Sequence, residues 1–310
     1  IIPDGVISIG AWAFYGYDDL TSVTLPDSVT SIGESAFSDC DSLASITIGN
    51  GVTSIGESAF YSCSALERVY IKSIESWVNI SFEELDSNPL QQGADLYLNG
   101  ELLTEVIIPD GVISIGAWAF YGYDALTSVT LPESVTNIGH EAFTWCNALA
   151  SVTIGNSVTS IDTWAFYGCN ALTCITMGNS VTSIGEYAFN GCGSIKYVFY
   201  TGTQEEWNAI NKSDAALSYG KIFYNVDEDY LLSDNNLYNR NGTMLIACGA
   251  GKSIYVAPDT LKSIEQNAFS DTKGVRFVIL PYGFRNIGSY AFSIGSLKTV
   301  KIPKSVSSIG

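Results

Sequence analysis

The chain has 310 residues, 32 acidic against 14 basic, with a formal net charge of −18 and 46% apolar content. So few Lys and Arg exclude the clustered cations that nucleic acid or an anionic membrane surface requires, and the apolar content excludes disorder. No apolar run approaches the roughly 18 residues of a bilayer-spanning helix.

The first element is a phrase, Val-Thr-Ser-Ile-Gly-x-x-Ala-Phe, usually followed three residues later by Cys. Its Ile stands at Ile9, Ile32, Ile55, Ile115, Ile138, Ile161, Ile184, Ile264 and Ile287, 23 residues apart wherever nothing intervenes, and a tenth copy starts at Val306. A fixed period of this size predicts a solenoid, in which no unit buries its apolar face alone. Each unit has two halves. The first, as in Leu20-Thr-Ser-Val-Thr-Leu-Pro26, alternates β-branched residues and predicts a brief strand with Val23 and Leu25 inward and Ser22 and Thr24 outward. The second, Val29 to Cys40, predicts a turn and a short helix or 3₁₀ segment, with Gly33 permitting the bend. Stacking gives a parallel sheet on one side and short helical or irregular turns on the other. The chain opens at Ile1-Ile2-Pro3 inside one repeat and closes inside another, without the polar caps that solenoids need, so a fragment of a longer protein is expected.

Two segments, 72–104 and 201–253, interrupt this single solenoid of residues 1–310. The first carries Trp77 and an Asn99-Gly100 hairpin signal. The second opens on Thr203-Gln-Glu-Glu-Trp207, a capping-box pattern at a helix start, and holds a further Asn241-Gly242 turn. The inserts look related. Residues 2–18 also recur unchanged at 108–124, which supports a higher-order duplication.

The unit Leu43-Ala-Ser-Ile-Thr-Ile-Gly-Asn-Gly-Val-Thr-Ser-Ile-Gly-Glu-Ser-Ala-Phe-Tyr-Ser-Cys63 resembles the BspA-type leucine-rich repeat, over nearly the whole chain apart from the inserts. That resemblance implies a curved, right-handed α/β solenoid from a family of largely secreted or surface-anchored bacterial proteins. It also implies adhesion to, or binding of, host proteins or glycans, extracellular matrix among them. It carries over no catalytic residue.

Five cysteines, Cys40, Cys63, Cys146, Cys169 and Cys192, share one slot, which Tyr17, Tyr123 and Thr272 fill elsewhere. Such a slot reads as packing, with Cys40–Cys63 or Cys169–Cys192 pairing left open. There is no CxxC spacing, and Cys174 is expected to face outward as the most reactive thiol. The lone histidine, His140, is expected on a solvent-facing turn. No HExxH or GxSxG pattern occurs, so neither catalysis nor a cofactor is expected. Gly249-Ala-Gly251 reads as a turn. The acidic group Asp227-Glu-Asp229 with Asp234-Asn-Asn236 lacks the spacing of a calcium loop.

Candidate binding residues lie where the repeat varies. The slot before Ala-Phe holds Trp12, Trp118, Trp164, Tyr187 and Tyr290, and the slot after it holds Tyr15, Tyr61, Tyr121 and Tyr167. These form either an exposed aromatic strip or packing between rungs. On the sheet side, bulky residues replace the usual Ser and Thr at Tyr70, Ile107, Tyr197, Phe199, Phe277 and Ile279. Either the inserts cover them or they form a recognition patch. The expected function is a monomeric binding module for a protein or glycan, with no nucleic-acid partner and no membrane insertion. The alternative is a passive spacer presenting another domain. An enzyme would need ionisable groups from an insert and the sheet to converge in one pocket.

Overall fold

A computed structural model describes residues 2–212, 217, 220–226, 230–233, 236–248, 253–270, 272 and 274–310. Each regular rung carries two short parallel strands and a turn. The first strands stack in register, Val23 beside Ile46 and Ile46 beside Val69, to give one ladder. Val23 and Leu25 point inward and are buried, while Ser22 and Thr24 are exposed, because strand side chains alternate faces. The Ser-Ile pairs form a second parallel ladder, with Ile9, Ile32 and Ile55 aligned. That second ladder corrects the sequence reading, which placed the Ser-Ile pair in the turn.

The remaining side is built from irregular turns, one of the two forms expected, and among the described residues no regular rung carries the short helix that was the other. Its backbone donors alternate. Ser35, Phe37 and Asp39 N–H groups reach the next rung, at Glu57, Ala59 and Tyr61 carbonyls, while Ala36, Ser38 and Cys40 donate three residues back. The slot before Ala-Phe has φ between 50° and 62° in every rung, from Trp12 to Tyr290. A left-handed residue at that place cannot continue a helix of L-residues. Gly33 serves a different purpose from the expected bend: a Cβ there would lie 2.5 Å from Ala11 N of the preceding rung, so glycine lets the backbones close up.

The interior is a column of parallel rings. Phe14, Phe37 and Phe60 stack at 5.2 and 5.5 Å, and Phe120, Phe143, Phe166 and Phe189 at 5.0–5.3 Å, with interplanar angles of 4–7°. All but Phe14 are fully buried. Each such pair adds about 0.5–1.5 kcal/mol beyond its area burial.

The shared Cys slot is more than packing. Cys40, Cys63, Cys146, Cys169 and Cys192 each donate Sγ–H to a Phe carbonyl of the preceding rung at 3.0–3.1 Å. Thr272 Oγ1 donates to Cys248 O at 3.1 Å, and Tyr123 Oη to Leu103 O at 2.8 Å. Cys, Thr and Tyr share a side-chain donor, which explains why the slot accepts these three. All seven thiols are buried, and none of them is in a disulfide. Burial pushes the Cys63 thiol up to about 12.

Both inserts supply a rung. In the first, Ser73 caps the short helix α1, Ile74–Val78, whose Trp77 is buried and donates Nε1–H to Ala119 O at 2.9 Å. Ser81–Phe82 then joins the second ladder beside Ser54–Ile55, and Asp95–Leu98 joins the first beside Arg68–Ile71. Asn99-Gly100 turns the chain into an antiparallel pairing with Glu101–Leu102, as the sequence predicts. In the second, Thr203 and Glu206 form the reciprocal capping box on α2, Gln204–Ala209. Asn211–Lys212 and Lys221–Phe223 extend the two ladders. An antiparallel hairpin, Asn236–Asn239 with Met244–Ala247 around Asn241-Gly242, follows and leads into the last parallel rungs. The Asp227-Glu-Asp229 and Gly249-Ala-Gly251 segments, and most of the Asp234 cluster, lie outside the described residues.

Candidate functional site

The fates of the sheet-side candidates differ with the inserts. Tyr197 is 8% exposed and Phe199 fully buried, packed with Phe223, Val226, Leu237 and Ala247 beneath the second insert's hairpin. They are covered, and neither belongs to an open recognition patch. Cys174 is covered with them, contrary to the expectation of a reactive outward thiol, and burial pushes it up to about 12. Beside this covered cluster lies a polar recess of about 480 Å³ between Lys196 and Lys221 on one side and Gln266 and Asn267 on the other. Tyr70 stays half-buried, 5.2 Å from Tyr97. Phe277 and Ile279 remain open beside Ile254 and Val256 of the neighbouring strand.

The turn side behaves differently. Trp12 is exposed and packs on Tyr15 at 5.0 Å, with a hydrogen bond to Asp39 raising the Tyr15 phenol. Trp118, half-buried, meets the edge of His140 at 5.7 Å, and His140 lies 5.8 Å from Trp164 on its other side. His140 is thus held between two indoles and paired with Glu141 at 3.0 Å, not simply turned to solvent. Trp164, 39% exposed, faces Tyr167 and Tyr187, each at 6.4 Å. Packing and exposure coexist: the rings touch across rungs and keep their outer faces open.

Where four of these rungs meet, they enclose a cleft of about 370 Å³. Thr144 is its floor, a small buried residue between Tyr121 and Tyr167 of the flanking rungs. Its hydroxyl donates to Trp164 O at 2.5 Å. Glu141 and Asn190 supply the polar edges, and Trp145, Trp164 and Tyr187 the ring faces. Burial, then the Glu141 carboxylate, raise the Tyr121 phenol against an opposing hydrogen bond with Trp145.

Trp145 was missed in the sequence because its slot is otherwise small: Gly16, Asp39, Ser62, Gly122, Gly168 and Gly191. The available signal was that contrast, one Trp flanked by glycines on both neighbouring rungs. Trp145 stands edge-on to Tyr167 at 5.2 Å and 90°. A Cβ on Gly168 would lie 2.5 Å from its Cε3 atom, so the ring occupies space that Gly168 vacates. Trp145, Trp164 and Tyr187 all sit at φ 57–60°. Both slots take this left-handed backbone in other rungs too, at Ser35 and Ser58 and at Asp39 and Ser62, so the geometry belongs to the rung and the large ring is what sets these three positions apart. Among the described residues no cluster of His, Cys, Asp or Glu is placed to hold a metal, and no helix is long and apolar enough to cross a membrane.

A parallel solenoid of 23-residue rungs, with aromatic slots on its turn side, defines a repeat-type interaction scaffold. The sequence matches the family described as "BspA type Leucine rich repeat region (6 copies)" over residues 1–91, 93–211 and 247–310. The chain therefore belongs to the BspA-type leucine-rich repeat family, a class of protein-interaction module. No curated protein matches it. Among solved structures it is similar to a leucine-rich repeat protein from Bacteroides ovatus, at 24% identity and TM-score 0.44, covering 98% of this chain and 78% of that one. A leucine rich cell surface protein from Faecalibacterium prausnitzii gives 26% identity and TM-score 0.37 over 99% and 68%. A T. pallidum leucine-rich repeat protein gives 26% and 0.36 over 69% and 83%. Superpositions that loose carry no argument about function, and the family assignment rests on the repeat.

Proposed function

We propose that this chain is the binding part of a secreted or cell-surface adhesion protein, engaging host proteins or glycans through the turn side without catalysis. One observation carries the reading: the only tryptophan in its slot, with glycine in that slot on both neighbouring rungs, opens onto a cleft with Trp164 and Tyr187. Tryptophan and tyrosine rings that line a recess become energetic anchors once a partner covers them. A spacer would need only the small residues that Ser62 and Gly122 supply in the Trp145 slot, and Ser35 and Ser58 in the Trp164 slot. Family membership supports the extracellular setting. The test is retention of the chain on immobilised host matrix proteins, mucins and glycans, compared with a Trp145→Ala/Trp164→Ala double variant of equal thermal stability. Retention lost in the variant supports the reading; equal retention, or none by either chain, overturns it.

A further inference from the structure

The chemistry of the cleft narrows its occupant. Its lining holds aromatic faces, one carboxylate, one amide and the Thr144 hydroxyl, with no Lys or Arg. A phosphorylated, sulfated or sialylated ligand would meet the Glu141 carboxylate with no Lys or Arg in the lining to offset it, in a chain whose net charge is already −18. An apolar peptide side chain would cover the Glu141 carboxylate and the Asn190 amide without giving either a hydrogen-bond partner. Flat rings beside carboxylate and amide suit a molecule with an apolar face and a rim of hydroxyls. A neutral pyranose has that form: its C–H face lies on an electron-rich ring, and its equatorial hydroxyls donate to Glu141 and exchange hydrogen bonds with Asn190.

Spacing gives a second, independent constraint. The rungs supply Tyr121, Trp145, Tyr167 and Asn190 in succession, 22 to 24 residues apart in the chain and adjacent across the stack. Stacked rungs repeat at about 4.8 Å, which is about the advance of one pyranose unit along an extended chain. A linear oligosaccharide running along the stack therefore meets a new ring or polar edge at each sugar. The rings are also braced before any ligand arrives, Trp145 by Gly168 and Tyr167, and Trp164 by His140 and Tyr187. Bracing reduces the ordering cost of binding.

Resting on the reading that this cleft is the binding site, we propose that it takes a neutral, linear oligosaccharide of about three to four pyranose units, laid along the solenoid stack across the Trp145 and Trp164 rings. The experiment is calorimetric titration of the chain with neutral gluco-, galacto-, manno- and xylo-oligosaccharides of two to six units, with sialylated and sulfated glycans alongside. The expected result is binding by at least one neutral series, with affinity rising until about four units and then levelling. Trp145→Ala and Trp164→Ala should each weaken it roughly tenfold or more, while Tyr282→Ala, at an exposed residue outside the cleft, leaves it unchanged. Thermal melts of each variant show whether the fold persists, and Trp145→Phe should restore part of the affinity lost in the alanine variant.

Three results would overturn the inference: no binding by any neutral series, preference for the anionic glycans, or binding indifferent to both tryptophans. The broader reading fails separately. If a host protein binds and the same two variants abolish it, the cleft stands as a binding site and only its sugar occupant falls. If neither sugars nor proteins respond to the two variants, both fall.

Discussion

Replacing Phe143 by Ala tests the stacked interior most sharply. The ring is fully buried and lies between Phe120 at 5.3 Å and Phe166 at 5.0 Å. Truncating a buried Phe costs about 3–5 kcal/mol through lost transfer energy and the cavity left behind. The loss of two ring stacks places Phe143 in the upper half of that range. Phe14 is half-buried with a single stacked neighbour, Phe37 at 5.2 Å, so Phe14→Ala should cost about 1–2 kcal/mol. Stability in a solenoid is a sum of rung and nearest-neighbour terms, so a weak central rung should also divide the unfolding into two steps. Guanidinium melts followed by circular dichroism and by tryptophan fluorescence give both readouts. Equal losses at Phe14 and Phe143, or one unchanged transition in the Phe143 variant, would refute the reasoning.

Other consequences follow from single contacts. Cys169→Thr keeps a donor for Phe143 O, as Thr272 does for Cys248 O, whereas Cys169→Val removes it; thermal melts should find the Thr variant more stable by about 1 kcal/mol. An aromatic disulfide reagent at pH 8, which each accessible thiolate cleaves with release of a coloured thiolate, should titrate none of the buried thiols in the native chain and all seven after unfolding, and fast labelling of Cys174 would contradict its burial. Because burial holds Cys63, Cys174 and Cys248 up at about 12, the unfolded chain ionises its thiols first. That stability is whole below the ordinary thiol value of 9.0 and declines as pH rises towards 12, which alkaline melts can follow. Gly168→Ala, at φ +72°, should cost roughly 1–2 kcal/mol and displace the Trp145 ring, seen as a shift in tryptophan emission; an unshifted spectrum would mean that ring and glycine are not in contact.

The regular parts of the fold were legible because they obey strict periods. Alternation in Leu20–Pro26 announced the first strand with its correct faces, and Asn99-Gly100 and Thr203 announced a turn and a cap through local chemistry alone. The second ladder was not legible. Two residues, Ser31–Ile32, are too few to show a period, and only stacking against Ser8–Ile9 and Ser54–Ile55 makes them strands. The left-handed slot was hidden for a related reason: Trp, Ser, Glu and Tyr carry no signal of positive φ, and the rung geometry imposes it. The Cys slot was read as packing because its common property, a donor, matters only once the preceding carbonyl is in place. Tyr197 and Phe199 look like Tyr70 in the sequence, yet only the second insert has a hairpin that folds over them. The cleft depends on what stands on adjacent rungs, Thr144 between two tyrosines and Trp145 between two glycines. That arrangement is visible in the sequence only after the rungs are aligned.

The most direct test of the binding site is oxidative footprinting of the chain with and without the host protein or neutral glycan that retains it, read residue by residue by mass spectrometry. The account predicts that labelling of Trp145 and Trp164 falls on binding while the exposed Trp12 and Tyr282 are labelled as before. Unchanged labelling at Trp145 and Trp164, with protection moved to Phe277 and Ile279 on the sheet side, would contradict it.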